Sequence, residues 1–264
     1  MMHFKKRHDF KHKKFKNPPI IEAIFELRWK VRENGDPLIK LIDKKFKFFP
    51  GRFFDRIKKN YPEVEVLPNS TMPDDLNEYL PRFRFRNQPN SYPLIQIGPG
   101  VITVNFDKNF TQELFFNTCM DVLNVFFEVL PDIELNEVIL HYIDGFKFDY
   151  EKDNAFNYLE ESLSTYFRFN LDLFENTKIN SLPIKFHLES NFLVEEPPGY
   201  FMCQFRSGRK RIDKEKIIVM DTIFRSFGNN LPKIEKLDDW LYNADNIIHN
   251  WFLKMIDKIK YKYE

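Results

Sequence analysis

Residues 81–106 read PRFRFRNQPNSYPLIQIGPGVITVNF, and three strand-like runs lie inside them: PRFRFRN at 81–87, YPLIQIG at 92–98 and VITVNF at 101–106. The turn residues Gln88, Pro89 and Asn90, and then Pro99 and Gly100, separate the runs, so the stretch reads as an antiparallel meander. Directly after it, residues 110–130 place Phe115, Cys119, Val122, Phe126 and Val129 at helical spacing. Leu114, Leu123, Phe127 and Leu130 widen that apolar stripe until Pro131 stops it. A run of strands closed by a helix points to an α+β class rather than to alternating β and α elements.

Upstream, IIEAIFELRWKV at 20–31 alternates as a strand after Pro18 and Pro19. Asp36 and Pro37 open a helical stretch through Phe48, Gly51 to Asn60 adds a shorter one, and a Pro-rich crossing follows at Pro62, Pro68 and Pro73. Downstream, LNEVILHYIDGFKFD at 135–149 reads as a strand, about 154–167 as a helix, and about 183–194, 199–207 and 216–225 as three further strands. A last helix from Ile234 to Tyr263 spaces Leu237, Leu241, Ala244, Ile248, Trp251, Met255 and Ile259 by three and four, a stripe about 40 Å long suited to core packing or to a partner interface. Both halves thus read strand, helix, three-strand meander, helix. The expectation is two α+β units, 18–131 and 132–264, with antiparallel sheets packed against helices and joined into one continuous module. They would be a structural pseudo-repeat without appreciable sequence identity.

Phenylalanine occurs 30 times and aromatic residues make up 17% of the chain, so the core is expected to be built from rings. The formal net charge of +1 conceals a polarity, because residues 1–17 hold Lys5, Lys6, Arg7, Lys11, Lys13, Lys14 and Lys16 against the single acid Asp9. That segment reads as a basic, flexible arm on a mildly acidic body. Only Cys119 and Cys203 are present, too few for a disulfide framework, and no apolar run approaches the ~18 residues of a membrane span. A cytoplasmic location is expected.

NPPIIEAIFELR at 17–28 resembles the opening signature of a sporadically distributed prokaryotic family of roughly this length that has no assigned activity. RFRF at 82–85, LIQIGPGVITVNF at 94–106, EVILHYIDGF at 137–146, VMDTIF at 219–224 and IIHNWF at 247–252 look like that family's later landmarks. Phe106 stands where the family's landmark has a tryptophan, and the basic arm is longer than the family's. The resemblance implies the extent and class of the domain and transfers no catalytic residue. Sporadic distribution associates such families with accessory and defence systems.

Motifs for chemistry are scarce. There is no GxxxxGK[ST] loop, no HExxH and no GxSxG elbow. His187-Leu188-Glu189 has the HxE of zinc deaminases without the PCxxC that completes the site. By i, i+2 spacing His187 and Glu189 share one strand face, either as a proton-shuttling pair or as a solvated polar pair. His141 and Asp144 fall on opposite faces, His249 lies on the final helix, and Cys119 sits in an apolar stripe as an inert thiol. Glu134-Leu135-Asn136 after Pro131-Asp132 lacks the lysine of a nuclease ExK half-motif. No catalytic residue, metal ligand or cofactor is assigned, and whether the chain is an enzyme stays open.

Two basic features suit anions. Arg82, Arg84 and Arg86 alternate with Phe83 and Phe85, which would set three guanidinium groups in a row on one face, about 7 Å apart. The arm interleaves Phe4, Phe10 and Phe15 with its cations, a composition that neutralises phosphates while its rings stack on bases. The leading reading is a non-enzymatic binding or regulatory subunit that acts through protein–protein contacts, with a protein partner or a further copy of itself, in an operon-encoded, defence-related system. The alternatives are a nucleic-acid-binding protein using Lys5, Lys6, Arg7, Lys11, Lys13, Lys14 and the arginine row, and a small-ligand sensor with an aromatic-lined cavity.

Overall fold

In strand β1 (Ile20–Trp29), Ala23, Phe25, Leu27 and Trp29 are buried on one face, whereas Glu22, Ile24, Glu26 and Arg28 are only half-buried on the other. This alternation, with a period of two, governs the architecture, because the described helices lie on the first face. The computed structural model describes residues 4, 15–31, 46–72, 78–109, 111–166, 171–179, 183, 185–211 and 213–264. The helix expected over residues 36–48 falls largely outside them.

The described strands form a single nine-stranded antiparallel sheet, in the order β2-β3-β4-β5-β1-β6-β9-β8-β7. Its members after β1 are β2 (Glu63–Val66), β3 (Phe83–Arg86), β4 (Leu94–Gly98), β5 (Val101–Asp107), β6 (Leu135–Lys147), β7 (His187–Val194), β8 (Gly199–Arg209) and β9 (Lys216–Phe227). The expected division into separate sheets is therefore corrected to one sheet. β1 pairs with β5 on one side and with β6 on the other, so its backbone groups bridge the two halves of the chain. The expected meander is present as β3-β4-β5, but the Pro-rich crossing holds an unanticipated fourth strand. EVEV at 63–66 pairs with β3 at the sheet edge, between Pro62 and Pro68. Gly100 makes the β4–β5 turn at φ +76, a left-handed conformation that suits glycine. Gly98 has no Cβ where the Leu80 carbonyl approaches to within 2.0 Å of where one would stand.

Helices α1 (Phe49–Ile57), α2 (Gln112–Val129) and α4 (Leu237–Met255) lie on the covered face, and α3 (Ala155–Ser162) closes it where Phe156 meets Phe186 at 5.7 Å. Pro50 occupies the first turn of α1, where a missing N–H costs nothing. Thr111 caps α2 by accepting from the Leu114 N–H at 3.2 Å. The last helix stops at Met255 instead of Tyr263. Ile256 and Ile259 are buried against the core beyond it, and the Tyr263 carbonyl accepts from the backbone N–H groups of Lys16 and Asn17 at 2.8 and 3.2 Å. Among the described residues no helix is long and apolar enough to cross a membrane.

The core is ring on ring, as the composition implies. Trp29 lies 5.1 Å from Phe126 and 6.2 Å from Phe49, and Phe49 leads through Phe53 (5.3 Å) to Phe85 (5.9 Å). Over the second half, Phe224 meets Trp240 at 5.7 Å and the indole N–H donates to Ser226 Oγ at 2.9 Å. Phe126 sits where three of these contacts converge and is fully buried. Phe126→Ala should lower unfolding free energy by about 3–5 kcal/mol in chemical denaturation; a loss below about 1 kcal/mol would contradict this packing.

Candidate functional site

The face of the sheet turned away from the helices is polar in large part; Thr103, Asn105, Glu137 and Asp221 are buried within it, whereas most of their neighbours are half-buried or exposed. Along β3, β4, β5 and β1 it displays a chain of polar bonds. Arg84 Nε donates to Gln96 Oε1 at 2.8 Å, Gln96 Nε2 lies 3.2 Å from Thr103 Oγ1, Thr103 Oγ1 donates to Asn105 Oδ1 at 2.7 Å, and Asn105 Nδ2 donates to Glu22 Oε1 at 2.8 Å. Arg84 and Gln96, and Gln96 and Thr103, are direct partners in the strand register, Thr103 and Asn105 are two residues apart on β5, and Glu22 lies diagonally across from Asn105.

Across the β1–β6–β9 centre the polar groups cluster in two knots. Arg28 ion-pairs with Glu26 and, at 2.8 Å, with Glu137, while its guanidinium stands 5.4 Å over the Tyr79 ring. Burial, partly offset by Arg28, raises the Glu26 carboxyl above the ordinary value. In the second knot His141 Nε2 lies 3.0 Å from Asp221 Oδ1, and Arg206 Nε donates to Asp221 Oδ2 at 3.0 Å. Burial pushes Asp221 upward, but the bonds from His141 and Arg206 outweigh it and hold the carboxyl below its usual range. Around His141 lie half-buried aliphatic side chains: Ile24, Ile223 and Met202 in its own row of the register, and Ile139 and Ile143 on either side of it along β6.

The arginine row does not form as expected. Arg82 precedes β3 and is 8% exposed, its guanidinium 5.8 Å over Phe46 and within 3.5 Å of the Met72 carbonyl. Arg84 is held by Gln96 and, at 3.4 Å, by Glu65. Arg86 donates to the Ser91 carbonyl and lies 5.6 Å over Tyr92. Two guanidinium groups thus remain on the open face, each bound to a neighbouring strand or turn, and the third is turned into the body. Phe85 faces the helices, stacked on Phe54 at 5.9 Å.

Lys5, Lys6, Arg7, Lys11, Lys13 and Lys14 lie outside the described residues, as does Phe10. The other two rings of the arm serve the protein itself. Phe4 is 7% exposed, 5.8 Å from Phe127, with its N–H donating to Asn124 Oδ1 at 2.9 Å. Phe15 packs 6.3 Å from Phe252 and 6.4 Å from Tyr263. The expectation of rings free to stack on bases is corrected for both.

His187 and Glu189 share a face, 3.7 Å apart and largely solvated, and His187 Nε2 also lies 2.8 Å from Gln204 Nε2. His141 and Asp144 do point to opposite faces, and the acid that meets His141 is Asp221, 80 residues away, a partnership that only the β6–β9 register creates. Glu134 pairs with Lys30, and Asn136 donates to the Tyr79 hydroxyl at 3.1 Å. Cys119 and Cys203 are both buried free thiols, raised above the ordinary value by burial, Cys203 to about 12. His249 is half-buried on α4. Among the described residues no group of three His, Cys, Asp or Glu side chains is placed to hold a metal ion.

Asp144 carries a consequence for stability. Burial first, and Asp221 second, raise its carboxyl to about 8. The unfolded chain ionises near pH 4, so this site costs the fold increasing stability as pH rises from about 4 to about 8 and no more beyond. Asp144→Asn should therefore gain on the wild type across that window, by up to about 5 kcal/mol at 1.36 kcal/mol per unit. Urea unfolding at pH 4.5 and pH 8 measures it, and an equal difference at both pH values would refute it.

No family model and no curated protein matches the chain.

Proposed function

We propose that this chain is a non-enzymatic binding or regulatory subunit of the cytoplasm that engages a protein partner through the open face of its sheet. The observation that carries the reading is the arrangement of that face: half-buried aliphatic side chains set around His141 and edged by polar groups, most of them bonded to one another. An apolar centre within a polar rim is the anatomy of a protein–protein interface. The charge balance favours a protein over a polyanion, because the carboxylates of Glu22, Glu26, Glu65, Glu137, Asp221 and Glu189 match or outnumber the guanidinium groups of Arg28, Arg84, Arg86, Arg206 and Arg225 there. Membership of the sporadically distributed prokaryotic family, and with it a role in a defence-related system, is part of the same proposal and rests on the landmark residues alone.

The two halves are proposed to be copies of one unit. In each, the first strand pairs with the last strand of the meander, giving β5-β1 beside β6-β9. A two-fold axis through the Phe25–Leu140 pair would carry Glu22 of EAIF onto Glu137 of EVIL.

The test is recovery of the tagged protein at native expression level from cells carrying its neighbouring genes, followed by native mass measurement. A second polypeptide is expected. Ile223→Glu combined with Met202→Glu should weaken its capture by about ten-fold or more, the equivalent of ~1.4 kcal/mol, while shifting the thermal midpoint by only a few degrees. A nucleic acid in the complex, or capture unaffected by the double variant, would overturn the reading.

A further inference from the structure

The two outer strands of the described sheet differ in kind. β2 is four residues long with acids alternating, the short, charged edge by which sheets avoid pairing with strangers. β7 is eight residues, HLESNFLV, with no lysine, arginine or proline inside it, and it exposes Phe192 by 54% and Leu193 by 77%. Its inner side is fully paired with β8 from His187 to Val194.

The outward backbone groups can be identified. Ser207 donates its N–H to the Phe186 carbonyl at 3.2 Å, so the even-numbered residues of β7 bond to β8. In an antiparallel ladder His187, Glu189, Asn191 and Leu193 then direct their N–H and C=O groups outward. Such a row accepts an extended strand.

We infer that the occupant is β7 of a second copy of this chain, antiparallel about a two-fold axis at Ser190, so that two sheets join into one. In that register His187 exchanges backbone bonds with Leu193 of the second copy, and Glu189 with Asn191. On the helix-covered face Leu188 meets Phe192 and Phe186 meets Val194, which covers the exposed ring with apolar side chains. Beyond the strand ends Lys185 stands opposite Glu195 of the second copy, twice by symmetry. Neighbouring registers fit less well: centring on Phe192 sets Glu189 against Glu195, and centring on Asn191 sets Ser190 against Phe192 and Lys185 against Pro197. Like charges and polar–aromatic mismatches disfavour both. The proposal rests on the edge of β7 and the open-face reading on the aliphatic side chains of the central strands, so each stands or falls separately.

Light scattering and native mass measurement on the purified full chain at micromolar concentration should give a dimer. Phe192→Lys places a charge on a side chain that is exposed in one copy alone, and it should weaken dimerisation at least about ten-fold without unfolding the protein. Lys185→Glu should also weaken the dimer, and adding Glu195→Lys should restore it. At the axis the two Ser190 side chains form a non-hydrogen-bonded pair, the closer kind in an antiparallel ladder. Ser190→Cys in a Cys203→Ser background, which removes the thiol directly opposite position 190 on β8, should therefore give a covalent dimer on mild oxidation, whereas the wild type, whose two cysteines are buried, should not. A monomeric wild type whose Ser190→Cys variant does not cross-link would overturn the proposal, as would a dimer indifferent to both Phe192→Lys and the charge exchange.

Discussion

The antiparallel pairing of β1 with β6 is the constraint on which the rest of the structure depends. It runs from Ile20 opposite Asp144 to Trp29 opposite Leu135 and joins the first half of the chain to the second. β1 also pairs with β5, and β6 with β9, so both central strands have their backbone groups satisfied on either side. With these two strands interior, the free edges are displaced to β2 and β7, and a single helical layer can span both halves.

Because the described helices lie on one face, the two faces obey different physical rules. On the covered face, aromatic contacts dominate and polar groups are paired in places, as with the Tyr142 hydroxyl donating to Asp245 at 2.6 Å and the Trp240 indole N–H donating to Ser226, whereas the buried Thr222 hydroxyl has no hydrogen-bond partner among the described residues. On the open face, polar residues pair laterally along the strands. The network from Arg84 to Glu22 consists of hydrogen bonds, and its middle members Thr103 and Asn105 are buried, so each would cost stability if its partner were removed. Its effect is to keep this surface ordered and to leave the apolar centre around Ile139 and Ile223 as the part with most to gain from being covered.

Asp144 and Asp221 show how finely the faces differ. They occupy neighbouring central strands, but Asp221 faces outward to His141 and Arg206 and its carboxyl is held down, whereas Asp144 faces the helices and is pushed up to about 8. The residue type is the same and the strands are adjacent; the side chains point to opposite faces and so meet different surroundings.

The sequence by itself determined the class of fold, most strand and helix positions, the end of α2 before Pro131 and the aromatic character of the core, because these follow from local periodicity, turn residues and composition. It also placed Phe83 and Phe85 opposite Arg84 and Arg86, a consequence of period two alone. Only the tertiary structure decided that there is one sheet, that EVEV at 63–66 joins it, that α4 ends at Met255, that Arg82 turns over Phe46 and that Phe4 and Phe15 pack onto the helices. It alone brought His141 to Asp221. The physical reason is common to all of these: each depends on which distant strand or ring lies alongside, and that register is set by long-range pairing and burial, which no short window of sequence encodes.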